Sequence, residues 1–330
     1  MRAVVKPHAV EIQLPDLSRW ARSRSADIPF VHEFTASEPG ADALITSLIH
    51  GNEYSGAMVM SELLALLSAG QLKLSRGRLT VVFANVDAFA GFDATQPDAS
   101  RFVDQDMNRV WDAALLDSSH SSRELARARA IRPYVERATH LLDLHSMHEP
   151  CEPLLITGLL PRNVAFAQSL GGVGQIVMDA GHNNGVRMRD FSGFGSESGE
   201  KIALLLEAGQ HWQRASVAAC RDVMLRFLLR VEVLEMQQVI AAGLQGWLAA
   251  DRAAPAPVKV THAVVARSMN FEFSEAYAGN EAIAHAGTVI AQDNGQKITT
   301  PYDNCVLVMP SIRQLHPGVT TVRLGQRVAT

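Results

Sequence analysis

Short apolar runs alternate with helical patterns along the first 250 residues of the chain. The runs have the length and composition of buried strands, and the segments between them carry apolar residues at helical spacing. The predicted strands are 43–49, 79–86, 140–145, 153–158 and 202–209. The predicted helices are 54–67, 121–137, 162–170 and a long stretch over 214–248 with a break near Gly243. This alternation predicts an α/β fold with helices on both faces of a mixed, mostly parallel sheet.

The pattern changes at both ends of the chain. Residues 1–40 are predicted to form an entry segment of short strands and turns. The segment ADRAAPAPVK, at 250–259, has the composition of a linker. Beyond Val258, short β-like pieces are separated by Gly, Asn and Asp. We therefore predict two domains, an α/β domain over 1–250 and a small β domain over 258–330.

Composition and charge narrow the possible functions. Hydrophobic residues make up 47% of the chain and charged residues 19%, which is typical of a well-buried globular protein. The net charge of −4 comes without a polybasic run, so neither nucleic acid nor a membrane surface is predicted as a partner. Three widely spaced cysteines and the lack of an 18-residue apolar stretch favour a cytoplasmic protein. A small molecule is therefore the expected partner.

The segment His50-Gly51-Asn52-Glu53 directly follows the strand predicted over 43–49. Imidazole and carboxylate groups are both good zinc ligands, and a catalytic zinc takes three protein ligands and one water. His50 is predicted at the carboxyl end of a strand, where α/β proteins bind ligands, and Gly51 would relieve crowding in the turn. The same spacing also fits an ordinary junction between a loop and a helix, with Glu53 in the first turn. As a hypothesis, the segment supplies two of three metal ligands.

The third ligand is predicted at the end of the strand over 140–145. Asp143 and His145 are two residues apart and face the same side of a strand, so Asp143 can orient a ligating His145. His148 is an alternative, because it forms a His-x-x-His pair with His145. We prefer His145, since its position at a strand end repeats that of His50.

Two further groups of polar residues fall near predicted strand ends. Glu207 follows an aliphatic run, where partial desolvation would raise its pKa towards the range of a general base. An ordinary ion pair at the end of a strand is the alternative reading. The loop 101–109 contains Arg101, Asn108 and Arg109, which could polarise a carbonyl or hold a carboxylate. A surface loop with Asp–Arg ion pairs is again the alternative.

Four short segments resemble those of one family when they are taken in order. They are HGNE at 50–53, DMNR at 106–109, DLH at 143–145 and LEAG at 206–209. Together they resemble the succinylglutamate desuccinylase/aspartoacylase family, a branch of the zinc-carboxypeptidase-like fold. The resemblance covers residues 43–210 and extends loosely into the C-terminal β domain. It implies that His50, Glu53 and His145 bind one Zn²⁺ per chain and that Glu207 is the general acid and base.

The same resemblance implies roles on the substrate side of the site. Arg101 would polarise the scissile carbonyl, and Asn108 and Arg109 would hold the carboxylate of the substrate. Tyr277 resembles a C-terminal tyrosine of the family that reaches the active site, with Tyr302 as the alternative.

The chain departs from the family where a second acidic group would bind. Aspartoacylases carry an arginine about ten residues before the general base, and here that offset gives Glu197. Arg187 and Arg189 lie further upstream. Residues 181–200 are therefore expected to decide which substrate the chain accepts.

The resulting hypothesis is a zinc-dependent deacylase that cleaves the amide bond of a small N-acyl amino acid or a related acylated amine. One alternative is a metallocarboxypeptidase acting on short peptides, against which the small β domain argues by narrowing access. Another is a metal-binding relative without turnover, which would need neither Glu207 nor Arg101. The sequence is compatible with a homo-oligomer.

Overall fold

The computed structural model describes residues 8–22, 26–181 and 184–328. The strands are β1 Val31–Thr35, β2 Asp42–Ser47, β3 Arg78–Phe83, β4 His140–Met147, β5 Leu154–Ile156, β6 Gln175–Met178, β7 Ile202–Gln210, β8 Val258–Val265, β9 Phe271–Phe273, β10 Glu281–Ile283, β11 Val289–Asp293, β12 Gln296–Thr299, β13 Cys305–Val308 and β14 Thr320–Arg327. The α-helices are α1 Ser55–Ser68, α2 Val86–Ala90, α3 Ala113–Leu116, α4 Arg123–Arg137, α5 Pro161–Leu170, α6 Arg214–Arg230 and α7 Met236–Ala241.

Across the described residues, one mixed sheet has the order β1-β3-β2-β4-β7-β5-β6-β8-β14-β13-β10. The pairs β3/β2, β2/β4, β4/β7, β5/β6 and β6/β8 are parallel. The strands β9, β11 and β12 form a separate antiparallel sheet. These findings confirm the predicted α/β class, with its mostly parallel sheet and additional β structure at the C-terminal end.

Helices cover both faces of the parallel region, and the alternation of side chains along each strand explains why. In β2, Ala43 and Ile45 belong to the apolar cluster that includes α1, α5 and α6. Leu44, between them, belongs to the cluster on the opposite face with α4. Because both faces are covered, these strands read as nearly continuous apolar runs.

The C-terminal strands extend the main sheet. β8 adds parallel to β6, with Val258 opposite Val177, and β14, β13 and β10 follow as antiparallel neighbours. The segment between 248 and 257 has no regular secondary structure, as expected for the predicted linker. The division into domains at 1–250 and 258–330 stays a prediction, and the sheet is continuous across it.

The prediction of a helical stretch over 214–248 with a break near Gly243 is wrong about the position of the break. The helix α6 ends at Arg230, and Glu232 follows in a left-handed conformation with φ of 59°. Glu235 and Gln238 then form a capping box that starts the short helix α7. A cap of this kind begins a new helix rather than continuing the old one. The predicted break at Gly243 comes after α7 has ended.

Parts of two other predictions lie outside the described residues. The entry segment is described from residue 8 onwards, apart from 23–25, and contains β1. In the segment 181–200, residues 182 and 183 lie outside the description. Among the described residues, no helix has the length and apolarity needed to cross a membrane.

Candidate metal centre and active site

The carboxyl ends of three neighbouring strands, β2, β4 and β7, carry the predicted site. Leu48, after β2, has φ of 62°, which turns the chain sharply before His50. Gly51 lies so close to the backbone of Ala88 that an added Cβ would stand 2.4 Å from its carbonyl carbon. Only glycine fits this approach. The chain then enters α1 directly after Glu53 and one further residue.

The three predicted metal ligands come together in the structure. His50 Nδ1 lies 2.7 Å from Glu53 Oε1, and His145 Nδ1 lies 3.0 Å from Glu53 Oε2. All three residues are buried, and their ligand atoms lie within 4.8 Å of one another. The geometry therefore agrees with the grouping that the sequence predicts.

Each of the two histidines has a carboxylate behind it. His145 Nε2 lies 2.9 Å from Asp143 Oδ2, as the alternation along the strand predicts. His50 Nε2 lies 3.0 Å from Asp106 Oδ1, a contact that the sequence reasoning missed. Such partners fix the tautomer and orientation of a ligating imidazole, with Nδ1 left to the metal. The DMNR segment contains Asp106, but only the folded loop shows what its carboxylate contacts.

Burial and neighbouring charges act in opposite directions on these groups. Burial raises the pKa of Glu53, but His50 and His145 outweigh it and hold the pKa well below its usual value. Burial lowers the pKa of His145, whereas Asp143 and Glu53 together raise it well above the usual value. Glu53 is thus held in the charged form that metal binding requires, whereas His145 has to give up a proton when an ion binds.

Glu207 lies directly opposite His145 in the pairing of β7 with β4. Its Oε2 atom is buried and has no hydrogen-bond partner among the residues that the structure describes. Burial, followed by the negative charge of Glu53, raises the pKa of Glu207 to about 8. A carboxyl group in this range can both accept and donate a proton near neutral pH.

The loop before the 3-10 turn Met107–Arg109 brings the predicted cations to the same place. The Arg101 guanidinium donates from Nη1 to Glu53 Oε1 at 3.1 Å, and its Nη2 lies 2.9 Å from His50 Nε2. Asn108 is buried, and its side-chain oxygen accepts from the Met188 backbone. Arg109 Nη2 lies 3.8 Å from Asp106 Oδ2, a loose ion pair. All three predicted residues line one cavity.

That cavity has a volume of about 400 Å³ and contains the metal-ligand group and Glu207 in its wall. The segment between β13 and β14 closes one side of it, with Met309, Ser311, Gln314 and His316 among the lining residues. A volume of this size suits a small molecule.

Arg187 and Arg189, the arginines upstream of Glu197, form ion pairs with aspartates of the protein. Arg187 donates to Asp179 at 3.1 Å and to Asp190 at 2.7 Å. Arg189 is 1% exposed, pairs with Asp190 and donates to the backbone carbonyls of residues 157 and 203. Glu197 is exposed. These contacts assign Arg189 to the packing of the segment, while Arg187 also lines the cavity.

The structure does not place Tyr277 at the site. Among the described residues that line the cavity, neither Tyr277 nor Tyr302 is found. Both pack on an apolar cluster of the C-terminal strands, where Tyr277 contacts Phe273 at 5.9 Å between ring centroids. Tyr302 lies 2.7 Å from the Thr261 hydroxyl. In this structure the Tyr277 ring packs in this cluster, and its role towards the substrate stays a prediction.

His148, the alternative ligand, belongs to a different group of side chains. Its Nδ1 lies 3.1 Å from His211 Nε2 and 3.6 Å from Asp98 Oδ1. The sequence reasoning missed both partners. His211 follows β7 directly, as His148 follows β4, so the pairing of the two strands was the signal that could have joined them.

The set of His50, Glu53 and His145 fits a zinc ion. Two imidazoles and one carboxylate are a typical set for catalytic zinc. The carboxylate of Glu53 is buried together with that of Asp143, and Asp106 beside them is partly buried, an arrangement that a divalent cation would stabilise. The unpartnered Oε2 of Glu207 gives the same site a proton acceptor.

Comparisons with known proteins agree with this picture. Residues 39–231 match the family described as the succinylglutamate desuccinylase/aspartoacylase catalytic domain. The fold is similar to that of succinylglutamate desuccinylase from Vibrio parahaemolyticus, at 17% identity and TM-score 0.65, covering 91% of this chain and 87% of that one. It is also similar to the enzyme of the same name from Chromobacterium violaceum, at 21% identity and TM-score 0.60, covering 92% and 90%. A product-bound ectoine utilization protein from Ruegeria pomeroyi matches at 17% identity and TM-score 0.62, covering 88% and 86%.

Proposed function

Because this chain belongs to the succinylglutamate desuccinylase/aspartoacylase family, we propose that it is a zinc-dependent hydrolase of small acylated amines. The bond cleaved is the amide bond of an N-acyl amino acid or a related compound. The observation that carries this proposal is the meeting of His50, Glu53 and His145 with Glu207 in the wall of one small cavity.

In this proposal His50, Glu53 and His145 hold one Zn²⁺. When bound, the ion supplies Lewis acidity, which lowers the pKa of water and withdraws electrons from a carbonyl. Asp106 and Asp143 keep the two imidazoles in the orientation that leaves Nδ1 for the metal.

Glu207 moves the proton. Its carboxylate takes a proton from the attacking water and returns it to the nitrogen of the leaving amine. Because the Oε2 atom is buried and has no partner, nothing within the described protein competes for the proton. No covalent bond between the protein and the substrate is required.

Arg101 stabilises the negative charge that develops on the carbonyl oxygen. Its guanidinium already lies among the metal ligands, within hydrogen-bond distance of Glu53. Asn108 and Arg109 hold the carboxylate of the substrate. Arg109 suits this role because its pairing with Asp106 is long, at 3.8 Å, which leaves donors for a bidentate bond.

The two alternatives make different demands on the structure. A metallocarboxypeptidase would need room for a peptide, whereas the segment between β13 and β14 restricts the cavity to about 400 Å³. A metal-binding relative without turnover would have no use for an unpartnered buried carboxyl such as that of Glu207. Both observations favour the deacylase.

A deacylation screen tests the proposal. Zinc-loaded protein is incubated with N-acetyl and N-succinyl amino acids and, in parallel, with dipeptides, and the release of free amine is measured. We expect release from an acylated amino acid, and loss of that activity after complete removal of the metal by a chelator. Faster cleavage of dipeptides would favour the carboxypeptidase, and activity without metal would contradict the proposal.

A further inference from the structure

A second group of potential metal ligands lies beside the site described above. Asp98, His148 and His211 offer one carboxylate oxygen and two imidazole nitrogens within 4.8 Å of one another. We propose that these three residues bind a second divalent transition-metal ion, separate from the ion held by His50, Glu53 and His145. This site does not depend on the reaction that the first site catalyses.

As at the first site, these side chains meet because neighbouring parallel strands end at the same edge of the sheet. His148 comes directly after β4 and His211 directly after β7, and the two strands are parallel neighbours. The backbone N–H of His211 donates to the carbonyl of Met147 at 2.9 Å, which fixes the two strand ends against each other. Asp98 reaches the pair from the loop between α2 and the 3-10 turn Met107–Arg109.

The distances fit ligands around one cation. Tetrahedral zinc ligands about 2.1 Å from the ion lie about 3.4 Å from one another. His148 Nδ1 is 3.1 Å from His211 Nε2 and 3.6 Å from Asp98 Oδ1. The second separation is that of an ion pair and is longer than a normal hydrogen bond. Among the described residues, the buried Asp98 Oδ1 has no hydrogen-bond partner at normal distance.

His211 is oriented as a ligand would be. Its side chain is buried, and its Nδ1 lies 2.8 Å from the Ser146 hydroxyl. If Nδ1–H donates to this hydroxyl, Nε2 presents its lone pair to His148 and Asp98. Ligating histidines usually donate their other ring N–H to a neighbouring oxygen in this way.

Two imidazoles and one carboxylate with open positions suit Zn²⁺, Co²⁺ or Fe²⁺. An ion here would tie the loop at Asp98 to the ends of β4 and β7. Arg101 is three residues further along that loop, and its carbonyl accepts from the Gly51 N–H at 3.0 Å. The second ion would thus help to position the segment that carries Arg101.

Metal stoichiometry tests the proposal. Metal-free full-length protein is titrated with Co²⁺, and the bound metal is followed by visible absorption and by elemental analysis after desalting. We expect two equivalents for the unchanged protein and one for His211→Ala. The matched control His120→Ala, at an exposed histidine, should retain two.

A milder substitution keeps the test valid if His211→Ala does not fold. Asp98→Asn, at a half-buried position in a loop, should weaken the second equivalent at least tenfold and leave the first unchanged. One equivalent in the unchanged protein would overturn the proposal, as would a folded variant that binds both equivalents as tightly as the unchanged protein or that loses both. Failure of the deacylation screen with two equivalents bound would contradict the proposed function and leave the second site standing.

Discussion

The two groups of histidine and carboxylate side chains at the ends of β4 and β7 differ in what supports them. At the first, the rings of His50 and His145 contact the carboxylates of Asp106, which is partly buried, and Asp143, which is buried. Glu207 lies beside them, and its Oε2 has no hydrogen-bond partner among the described residues. At the second, His211 is backed by a hydroxyl, and Asp98 is partly exposed. Ligand type alone does not separate the groups. The difference lies in the surrounding carboxylates, and it supports the proposal that the first group is catalytic and the second ancillary.

The largest effect is expected at the residue that only the first group has. Glu207→Gln removes the proton acceptor without removing a proposed metal ligand. We expect kcat to fall by about 10²–10⁴, the usual contribution of general acid–base catalysis, while zinc content is unchanged. Rates of amine release and elemental analysis measure the two quantities.

The exposed carboxylate Glu197 provides a matched control for this change. Glu197→Gln should leave both rate and zinc content as they are. Full activity of Glu207→Gln would show that the first group is no more catalytic than the second.

The next effect concerns the cation beside the first group. Arg101→Met keeps much of the length of the side chain and removes its charge and donors. If Arg101 stabilises the oxyanion, kcat should fall by roughly 10²–10³ at constant zinc content. Steady-state kinetics with the best acylated substrate measures it, with the exposed Arg252→Met as control. A rise in KM at unchanged kcat would instead assign Arg101 to substrate binding.

A smaller effect is expected from the carboxylate behind His145. Asp143→Asn keeps the shape of the side chain but weakens the bond that orients the ring. Loss of such a partner costs about 10- to 100-fold in metal affinity. Competition with a chelator of known affinity measures the change, and Asp27→Asn, at an exposed aspartate, is the control. An unchanged affinity would remove the distinction drawn between the two groups.

The smallest effect concerns His32, a buried imidazole that belongs to neither group. Burial lowers the pKa of His32, and its hydrogen bond to the carbonyl of Trp20 only partly offsets this. His32 therefore binds a proton near pH 6.5 in the unfolded chain, but only at a lower pH in the folded chain. This contribution to stability is present above about pH 6.5 and is lost as the pH falls below it.

Urea unfolding of metal-free protein between about pH 5 and pH 7.5 measures this dependence. His32→Gln should make the loss of stability at acid pH shallower. The control His120→Gln, at an exposed histidine, should follow the unchanged protein. If His32→Gln leaves the slope of the unfolding free energy against pH unchanged, the burial of His32 does not contribute to the pH dependence of stability.

The elements that the sequence predicts best are those whose residues repeat with a clear period. The runs leading to His50, His145 and Glu207 became β2, β4 and β7, and two-residue alternation placed Asp143 beside His145. These contacts are local or follow from parallel strands sharing one edge. They could therefore be predicted without knowing the path of the chain between them.

What the sequence could not predict depends on long-range pairing. Asp106 reaches His50 across 56 positions, and Asp98 meets His211 only through the folding of an irregular loop. The addition of β8 to β6 likewise leaves no periodic signal. A matching local segment likewise does not fix where the Tyr277 ring lies, and here it packs on the C-terminal strands.

The joining of β8 to β6 has a consequence for protein engineering. The segment between β13 and β14, which lines one side of the cavity, is carried on strands hydrogen-bonded, in series, to the strands that bear the proposed catalytic groups. Shortening that segment would widen the cavity without removing a residue from either strand. Deleting everything beyond residue 257 would instead uncover the edge of β6, around Val177, and leave an open template for aggregation. Redesign of specificity should therefore proceed by exchange of this connection, with the strands on either side retained.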